Sequence, residues 1–358
     1  MDFPEITGFR VRPVVVPLRR PLRTASGTIP ASPLLLIEID TEGPVTGHSY
    51  VFAYTETALP PLVTIAGRLA RDLIGQSASP EMCLERLRSR FRLLGLQGLL
   101  GMAVSGVEMA LWDALGKRSG AGVVSLLGGE PVAVPAYDSF GMVDPATDGE
   151  ELRRSVEAGF RGVKIKLGYP DVEEDLKVVR WVRKVVGANT ELMVDYNQSL
   201  REQEAEIRIE RLREFDVAWV EEPVAAEDLT GHARVRRSAG GRLQSGENWW
   251  FPSGFQTALH MIASDFAMLD VVKIGGFTGW MEAARLAQAA SIPVSSHMFI
   301  EASAHALAVT PTRHWLEYLD VAGPILRSAP RPVDGNITAE GPGIGMTWDY
   351  DAANKFAA

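Results

Sequence analysis

Hydrophobic and polar positions change their rhythm once along this chain, near residue 125. Before it, residues 6–16 and 33–40 read as strands, the second as Pro33-Leu34-Leu35-Leu36-Ile37-Glu38-Ile39-Asp40. A turn at Thr41-Glu42-Gly43-Pro44 leads to a third strand around 46–53, which predicts an antiparallel meander. A helical period then takes over in 56–76, 80–94 and 101–118. The last of these carries Met102, Val107, Met109, Ala110, Trp112 and Leu115, and stops at Gly120. Residues 1–125 thus predict an N-terminal α+β domain.

From about Val132 strand and helix alternate. Candidate strands are 132–138, 162–167, 191–197, 217–222, 243–247, 267–273, 292–297 and 314–319. Between them, residues 171–187 open on Asp171 as a cap and align Val172, Leu176, Val179, Val182 and Val186. A second helix, 278–290, begins at Thr278 and carries Trp280, Ala284, Leu286 and Ala287. Eight strands at a repeat of about 25 residues predict an α/β fold of the parallel (β/α)8 barrel type over 126–320. A doubly wound open sheet competes, but it requires a Gly-rich loop after its first strand, and none is present. Residues 321–358, with several prolines and glycines, are expected to return to the N-terminal domain, which would cap the barrel.

Composition narrows the partners more than the fold. A formal charge of −9 argues against nucleic acid or an anionic membrane surface as the main partner and leaves a small anionic molecule open. The single cysteine, Cys83, excludes an intrachain disulfide and a cysteine-based zinc cluster. Met1-Asp2-Phe3-Pro4-Glu5 lacks the basic and apolar runs of a signal peptide, and no apolar stretch is expected to span a bilayer. A reducing, cytoplasmic location is the expectation.

The chemistry gathers at the predicted strand ends. In Val163-Lys164-Ile165-Lys166-Leu167 both lysines fall on one face, about 6–7 Å apart, so each should ease deprotonation of the other and suit one to act as a base. Asp195, Glu221 and Glu247 end three successive strands with steps of 26 residues. A single strand-end acid ordinarily faces solvent or caps a helix. Three at the barrel repeat converge on one face, where their repulsion calls for a cation, and an all-oxygen set favours Mg²⁺ or Mn²⁺ over zinc. Glu222 should point away from them. Asp270 and His297 end the sixth and seventh strands, where the acid would fix the imidazole tautomer. The remaining histidines (48, 232, 260, 305 and 314) read as packed or surface residues. Glu317 ends the eighth strand and, shielded from water, would stay protonated and donate a hydrogen bond. Two bases flanking a metal suit removal of a proton alpha to a carboxylate, with Lys164, Glu317 and the metal facing the charge that develops.

The ordered set of motifs resembles the enolase superfamily, mandelate racemase subgroup, over essentially the full chain. It comprises Lys-Ile-Lys (164–166), Val-Asp-Tyr-Asn-Gln-Ser (194–199), Glu-Glu-Pro (221–223), Gly-Glu-Asn-Trp (246–249), Asp270 and Lys-Ile-Gly-Gly-Phe-Thr-Gly-Trp (273–280). Ser-Ser-His (295–297), His-Trp-Leu-Glu (314–317), Gly-His-Ser-Tyr-Val-Phe-Ala-Tyr (47–54) and Ala-Leu-Trp-Asp-Ala-Leu-Gly-Lys (110–117) complete it. The resemblance implies that Lys166 and His297 are bases for opposite faces of the substrate and that Asp195, Glu221 and Glu247 bind Mg²⁺. It implies further that Lys164 and Glu317 engage the substrate carboxylate, with Ser139 and Asn197 as polar contacts. The expected reaction is racemisation of a 2-hydroxy carboxylate by a homo-oligomer, an octamer; dehydration of an acid sugar by the same bases is the alternative. The family's loop after the first strand covers the barrel mouth and selects the substrate side chain, and here it reads 19–29. Leu22, Ile29, Phe52, Tyr54, Met298 and Leu319 favour an apolar side chain. Ser26, where mandelate-specific members carry valine, and Arg23 argue against mandelate itself.

Overall fold

The apolar runs of the first fifty or so residues assemble into one antiparallel sheet. In the computed structural model, which describes residues 3–358, β1 (Ile6–Thr24), β2 (Gly27–Thr41) and β3 (Val45–Phe52) pair in that order. The segment read as a loop, 19–29, is instead the far end of this hairpin, with Leu22 opposite Ile29 and Thr24 opposite Gly27. Met1 and Asp2, the first of the five residues read for a leader, lie outside the described residues.

Strand β2 lies between the other two and is buried from Ser32 to Ile39, because both faces of the sheet are covered. After α1 (Leu59–Leu73) and α2 (Pro80–Arg90), the long helix α3 (Leu99–Ser119) covers one face. A side chain at Gly106 of α3 would run into Val51 and Ile37 at under 3 Å, so glycine permits the close approach. By length and composition α3 could cross a membrane, contrary to the sequence expectation, but its most apolar stretch is 89% buried within the fold. Here that apolarity belongs to a core helix.

A short α4 (Val123–Leu126) leads into eight parallel strands: β4 (Ala133–Ser139), β5 (Gly162–Lys166), β6 (Glu191–Asp195), β7 (Val220–Glu221), β8 (Leu243–Ser245), β9 (Phe266–Asp270), β10 (Val294–His297) and β11 (Leu316–Tyr318). Neighbours follow chain order from β4 to β10, and β11 pairs with β4. The remaining seam closes through Ser296 N to Trp315 O (3.0 Å) and His314 N to Val294 O (2.7 Å). Between successive strands run α5 (Gly149–Glu157), α6 (Val172–Val186), α7 (Glu202–Leu212), α8 (Leu229–Ala239), α9 (Phe251–Met261), α10 (Gly276–Ala290) and α11 (Ile300–Ala308). Asp171 caps α6 by accepting from Glu173 N at 3.0 Å. Inside the barrel Tyr137, Met193, Trp219 and Met268 form a separate apolar plug.

After β11 the chain turns back. It adds β12 (Asn336–Thr338) antiparallel to β4, then α12 (Tyr350–Lys355). Trp348 packs edge-on to His48 and Tyr50 on the second face of the capping sheet, and Tyr350 Oη donates to Glu38 at 2.9 Å.

Candidate active site

Parallel register brings the polar strand ends together. Lys166 pairs with Asp195, Asp195 with Glu221, and His297 with Asp270, so each lies at the same height as its neighbour around the rim. Asp195, Glu221 and Glu247 each bring a carboxylate oxygen within 4.8 Å of the other two. Each is oriented from behind. Asp195 accepts from Asn197 N (2.7 Å) and Nδ2 (3.0 Å). Glu221 accepts from Gln244 Nε2 (3.1 Å) and Trp219 Nε1 (3.3 Å), and Glu247 from Asn248 Nδ2 (3.3 Å).

Two lysines balance part of this charge. Lys166 Nζ lies 2.6 Å from Asp195, while Lys164 Nζ lies 2.9 Å from Glu221 and 2.8 Å from Glu317. Lys164 rests on the barrel plug, 5.4 Å from the centre of the Tyr137 ring. The expectation that their repulsion leaves one lysine easy to deprotonate is corrected in its net effect. Burial lowers both, and Lys164 lowers Lys166, but the carboxylates outweigh these effects and hold both ammonium groups above the usual lysine range. Glu317 is corrected likewise. Burial pushes it up, but Lys164, His297 and hydrogen bonds from Lys164 and Ser139 take it down to about 2. Its oxygens accept from Ser139 Oγ (2.8 Å) and Met298 N (3.0 Å).

The acids outnumber what the lysines neutralise. Burial, offset by Lys164 but reinforced by Asp195, Glu247 and Glu317, raises Glu221 to about 7. Glu222, buried beside them and accepting from Asn248 Nδ2 at 2.8 Å, is raised well above its ordinary value by burial and by Glu247, Asp195 and Glu221. An all-oxygen donor set of this charge and spacing fits Mg²⁺.

On the other flank His297 Nδ1 donates to Asp270 Oδ2 at 2.7 Å, which leaves Nε2 facing the site, 3.4 Å from Glu247. Burial lowers the imidazole pKa, yet Glu247, Asp270 and Glu317 together raise it. The other Asp270 oxygen accepts from Val272 N (2.7 Å) and Lys273 N (3.0 Å), so the acid is clamped by the turn that follows it.

The residues expected to select the substrate divide into two groups. Phe52 and Met298 are buried, and the Phe52 and Tyr54 rings lie 4.7 Å apart. The Tyr54 hydroxyl is buried with no hydrogen-bond partner among the described residues, as is Asn197 Oδ1. Leu22, Ile29 and Leu319 are half-buried, whereas Ser26 is exposed at the hairpin tip. Arg23 turns to Asp148 and its backbone oxygen accepts from Met142 N at 2.7 Å, so its guanidinium is spent on anchoring the hairpin. Sequence reasoning missed Asn248 and Lys273, which join at 2.6 Å behind Glu222 and Glu247. The signal was present, since both lie in quoted motifs.

Two family models cover most of the chain. Residues 6–128 match the mandelate racemase / muconate lactonizing enzyme N-terminal domain, and residues 148–353 match the enolase C-terminal domain-like family. An enolase from Bradyrhizobium, crystallised with magnesium and mandelic acid, is 49% identical, with a TM-score of 0.97 over 100% of this chain and 99% of that one. L-talarate dehydratase from Polaromonas, complexed with Mg and L-glucarate, is 27% identical with a TM-score of 0.90 over 99% and 97%. D-galactarolactone cycloisomerase of Agrobacterium fabrum is 30% identical over 98% of either chain. The chain therefore belongs to the enolase superfamily, in its mandelate racemase and muconate lactonizing group, and is an enzyme.

Proposed function

We propose that this enzyme racemises a 2-hydroxy carboxylate with an apolar or aromatic substituent, taking the alpha proton from one face and returning one to the other. The observation that carries this reading is a pair of basic side chains flanking one carboxylate cluster. Lys166 stands 2.6 Å from Asp195 on one side, and His297 Nε2 stands 3.4 Å from Glu247 on the other.

In this reading Asp195, Glu221 and Glu247 would hold Mg²⁺, which would supply positive charge to stabilise the negative charge that develops on the substrate. Lys166 Nζ, freed where a cation among the three acids offsets the charge that holds it protonated, would exchange the proton on one face, while His297 Nε2 serves the other, with Asp270 keeping the imidazole in the tautomer that leaves Nε2 free. Lys164, fixed by Glu317 and Glu221, faces the charge that grows on the substrate oxygens. The plug of Tyr137, Met193, Trp219 and Met268 keeps water out from below, which strengthens each of these interactions. Phe52, Tyr54, Met298 and Leu319 give the substituent an apolar neighbourhood. The relative crystallised with mandelic acid, at 49% identity, supports a substrate of this class.

Dehydration of an acid sugar is the second reading, supported by relatives named as L-talarate/galactarate and L-talarate dehydratases, the latter complexed with L-glucarate. The same bases serve it, with loss of a 3-hydroxyl in place of reprotonation. Incubation of the Mg²⁺-loaded enzyme in D₂O with a panel of 2-hydroxy acids and acid sugars decides between them. Deuterium at the alpha carbon of both enantiomers of an aryl or alkyl 2-hydroxy acid is expected. A keto product from an acid sugar, with no exchange on the simpler acids, would overturn the proposal.

A further inference from the structure

Two sequence motifs have, apart from Lys273, no part in the chemistry above, Ala-Leu-Trp-Asp-Ala-Leu-Gly-Lys (110–117) and Lys-Ile-Gly-Gly-Phe-Thr-Gly-Trp (273–280). They meet at Glu108. This carboxylate belongs to α3 in the capping domain and is 1% exposed. It reaches across to the barrel, where Oε2 accepts from Phe277 N at 2.9 Å and Oε1 from Thr278 N at 2.7 Å. Trp112 Nε1, from its own helix, closes the set at 2.8 Å. The approach depends on Gly276, whose φ is +71° and whose missing Cβ would lie 1.8 Å from Glu108 Oε2.

The clamped backbone is the exit of a short turn whose entrance is Asp270. Asp270 Oδ1 accepts from Val272 N and Lys273 N, its backbone oxygen accepts from Ile274 N at 2.8 Å, and Gly276 N closes on Val271 O at 2.8 Å. The second Asp270 oxygen holds His297 Nδ1 at 2.7 Å. Six residues of hydrogen-bonded turn therefore connect Glu108 to the group that sets the imidazole. Among the described residues, nothing comparable joins Glu108 to Lys166, on the opposite side of the barrel. Burial pushes the Glu108 carboxyl up to about 7 in spite of its donors, so the fold retains an ionisable group at a site where it is costly.

We propose that Glu108 is a positioning residue for the histidine side of the site, acting from the capping domain through the 271–276 turn. The inference rests on the two-base reading for its kinetic test only. Glu108→Gln places an amide NH₂ against a backbone N–H and cannot accept at both ends. Gly276→Ala displaces the carboxylate from the barrel side. Trp112→Phe keeps a ring and removes one donor, and is the mildest of the three.

With each enantiomer of a substrate in D₂O, Glu108→Gln and Gly276→Ala should slow exchange on the His297 face by about tenfold or more and leave the Lys166 face unchanged. Trp112→Phe should give a smaller loss with the same selectivity, and the double variant of Glu108 and Gly276 should lose no more than either single one. A second readout needs no turnover. In Mg²⁺-loaded protein carrying isotope-labelled histidine, the His297 Nδ1–H resonance, identified by its loss in His297→Asn, should broaden or move in all three variants. Equal slowing on both faces, or an unmoved His297 resonance in any folded variant, overturns the proposal. If the wild type exchanges neither enantiomer, the two-base reading fails and the resonance alone decides the role of Glu108.

Discussion

The barrel mouth and the hairpin that runs against it hold their side chains in opposite ways. At the mouth Lys164, Asp195, Glu221 and Glu317 are each at most 2% exposed, and each is fixed by two or more partners. Along the hairpin, Arg19, Arg20 and Arg23 reach down to Glu151, Asp138 and Asp148 with solvent access, and the tip at Ser26 stands in water. The first region is built on strand ends whose register cannot slip without losing the cluster. The second is tethered by charge at the margin of the barrel. In the proposed reading, a segment held in this way could change its residues without disturbing the proton transfer, and one barrel end could serve several substrates.

The largest effect expected is at the mouth. His297→Asn should abolish racemisation in both directions, a loss of about 10²–10⁴-fold or more for a general base. It should spare exchange of the one enantiomer that presents its proton to Lys166. Lys166→Met should show the mirror image. NMR in D₂O with each pure enantiomer reads both, and normal racemisation by His297→Asn would make the imidazole structural.

A contact between the N-terminal sheet and the barrel helices sharpens the comparison, because it is buried like the mouth. Tyr50 Oη of β3 donates to Glu301 Oε2 of α11 at 2.9 Å, and burial pushes Glu301 up to about 7 against that hydrogen bond. A raised carboxyl pKa means that the folded state holds the proton more tightly. Its contribution to stability is full below the unfolded value near 4.5 and is lost as pH rises through about 7. The shift corresponds to on the order of 3 kcal/mol. Glu301→Gln removes this ionisation, so its stability relative to wild type should climb by about that much between pH 4 and pH 8. Denaturant unfolding at both pH values measures it, and a constant difference would show that Glu301 does not titrate as a buried acid. Shifts at other groups, Glu108 among them, cancel in the comparison.

What could be read from the sequence follows the same division. The eight strands and the three acids were legible because a barrel repeats its strand end about every 25 residues, and 195, 221 and 247 keep that step. The hairpin was not. Its prolines and arginines interrupt the alternation, since neither face of 19–29 belongs to the core and no pattern of burial marks it as strand. Charge states failed for a different reason. The lysine–lysine repulsion is local in sequence, whereas the partners that outweigh it lie 29 and 57 residues away at Asp195 and Glu221. Shielding of Glu317 was inferred without the Lys164 ammonium beside it. Glu108 was hidden in a helix whose period shows only burial, because its partners lie 169 and 170 residues further on.

The tether itself should yield a smaller effect. Arg20 forks onto Asp138 and stacks over the Phe140 ring at 3.9 Å from its centroid, with 28% of its side chain exposed. Arg20→Gln should cost about 1 kcal/mol, the scale of a partly exposed pair with a cation–π contact, or about fivefold in kcat/KM. If the hairpin is a cover and not part of the chemistry, the loss falls on KM and shrinks with salt, as the pair is screened in the wild type. A fall in kcat with KM unchanged would place Arg20 in the proton-transfer machinery and break the division.

The smallest effect belongs to the hairpin tip. Ser26 stands where mandelate-specific relatives are expected to carry valine, which on sequence grounds made it a determinant of substrate polarity. In the structure it is exposed, and its backbone N–H donates to Thr24 Oγ1 at 3.1 Å, closing the turn on itself. A side chain in that position exchanges one solvated group for another, so Ser26→Val should alter the preference between apolar and polar 2-hydroxy acids by about 0.5 kcal/mol or less. The ratio of kcat/KM values across such a pair tests this directly. A shift near the 1–3 kcal/mol expected of a pocket-lining methyl group would mean that the tip closes onto the substrate and is buried there. In that case selection would belong to a closed form of the hairpin, and the residues that release it, Arg20 and Arg23, would become determinants of specificity in their own right.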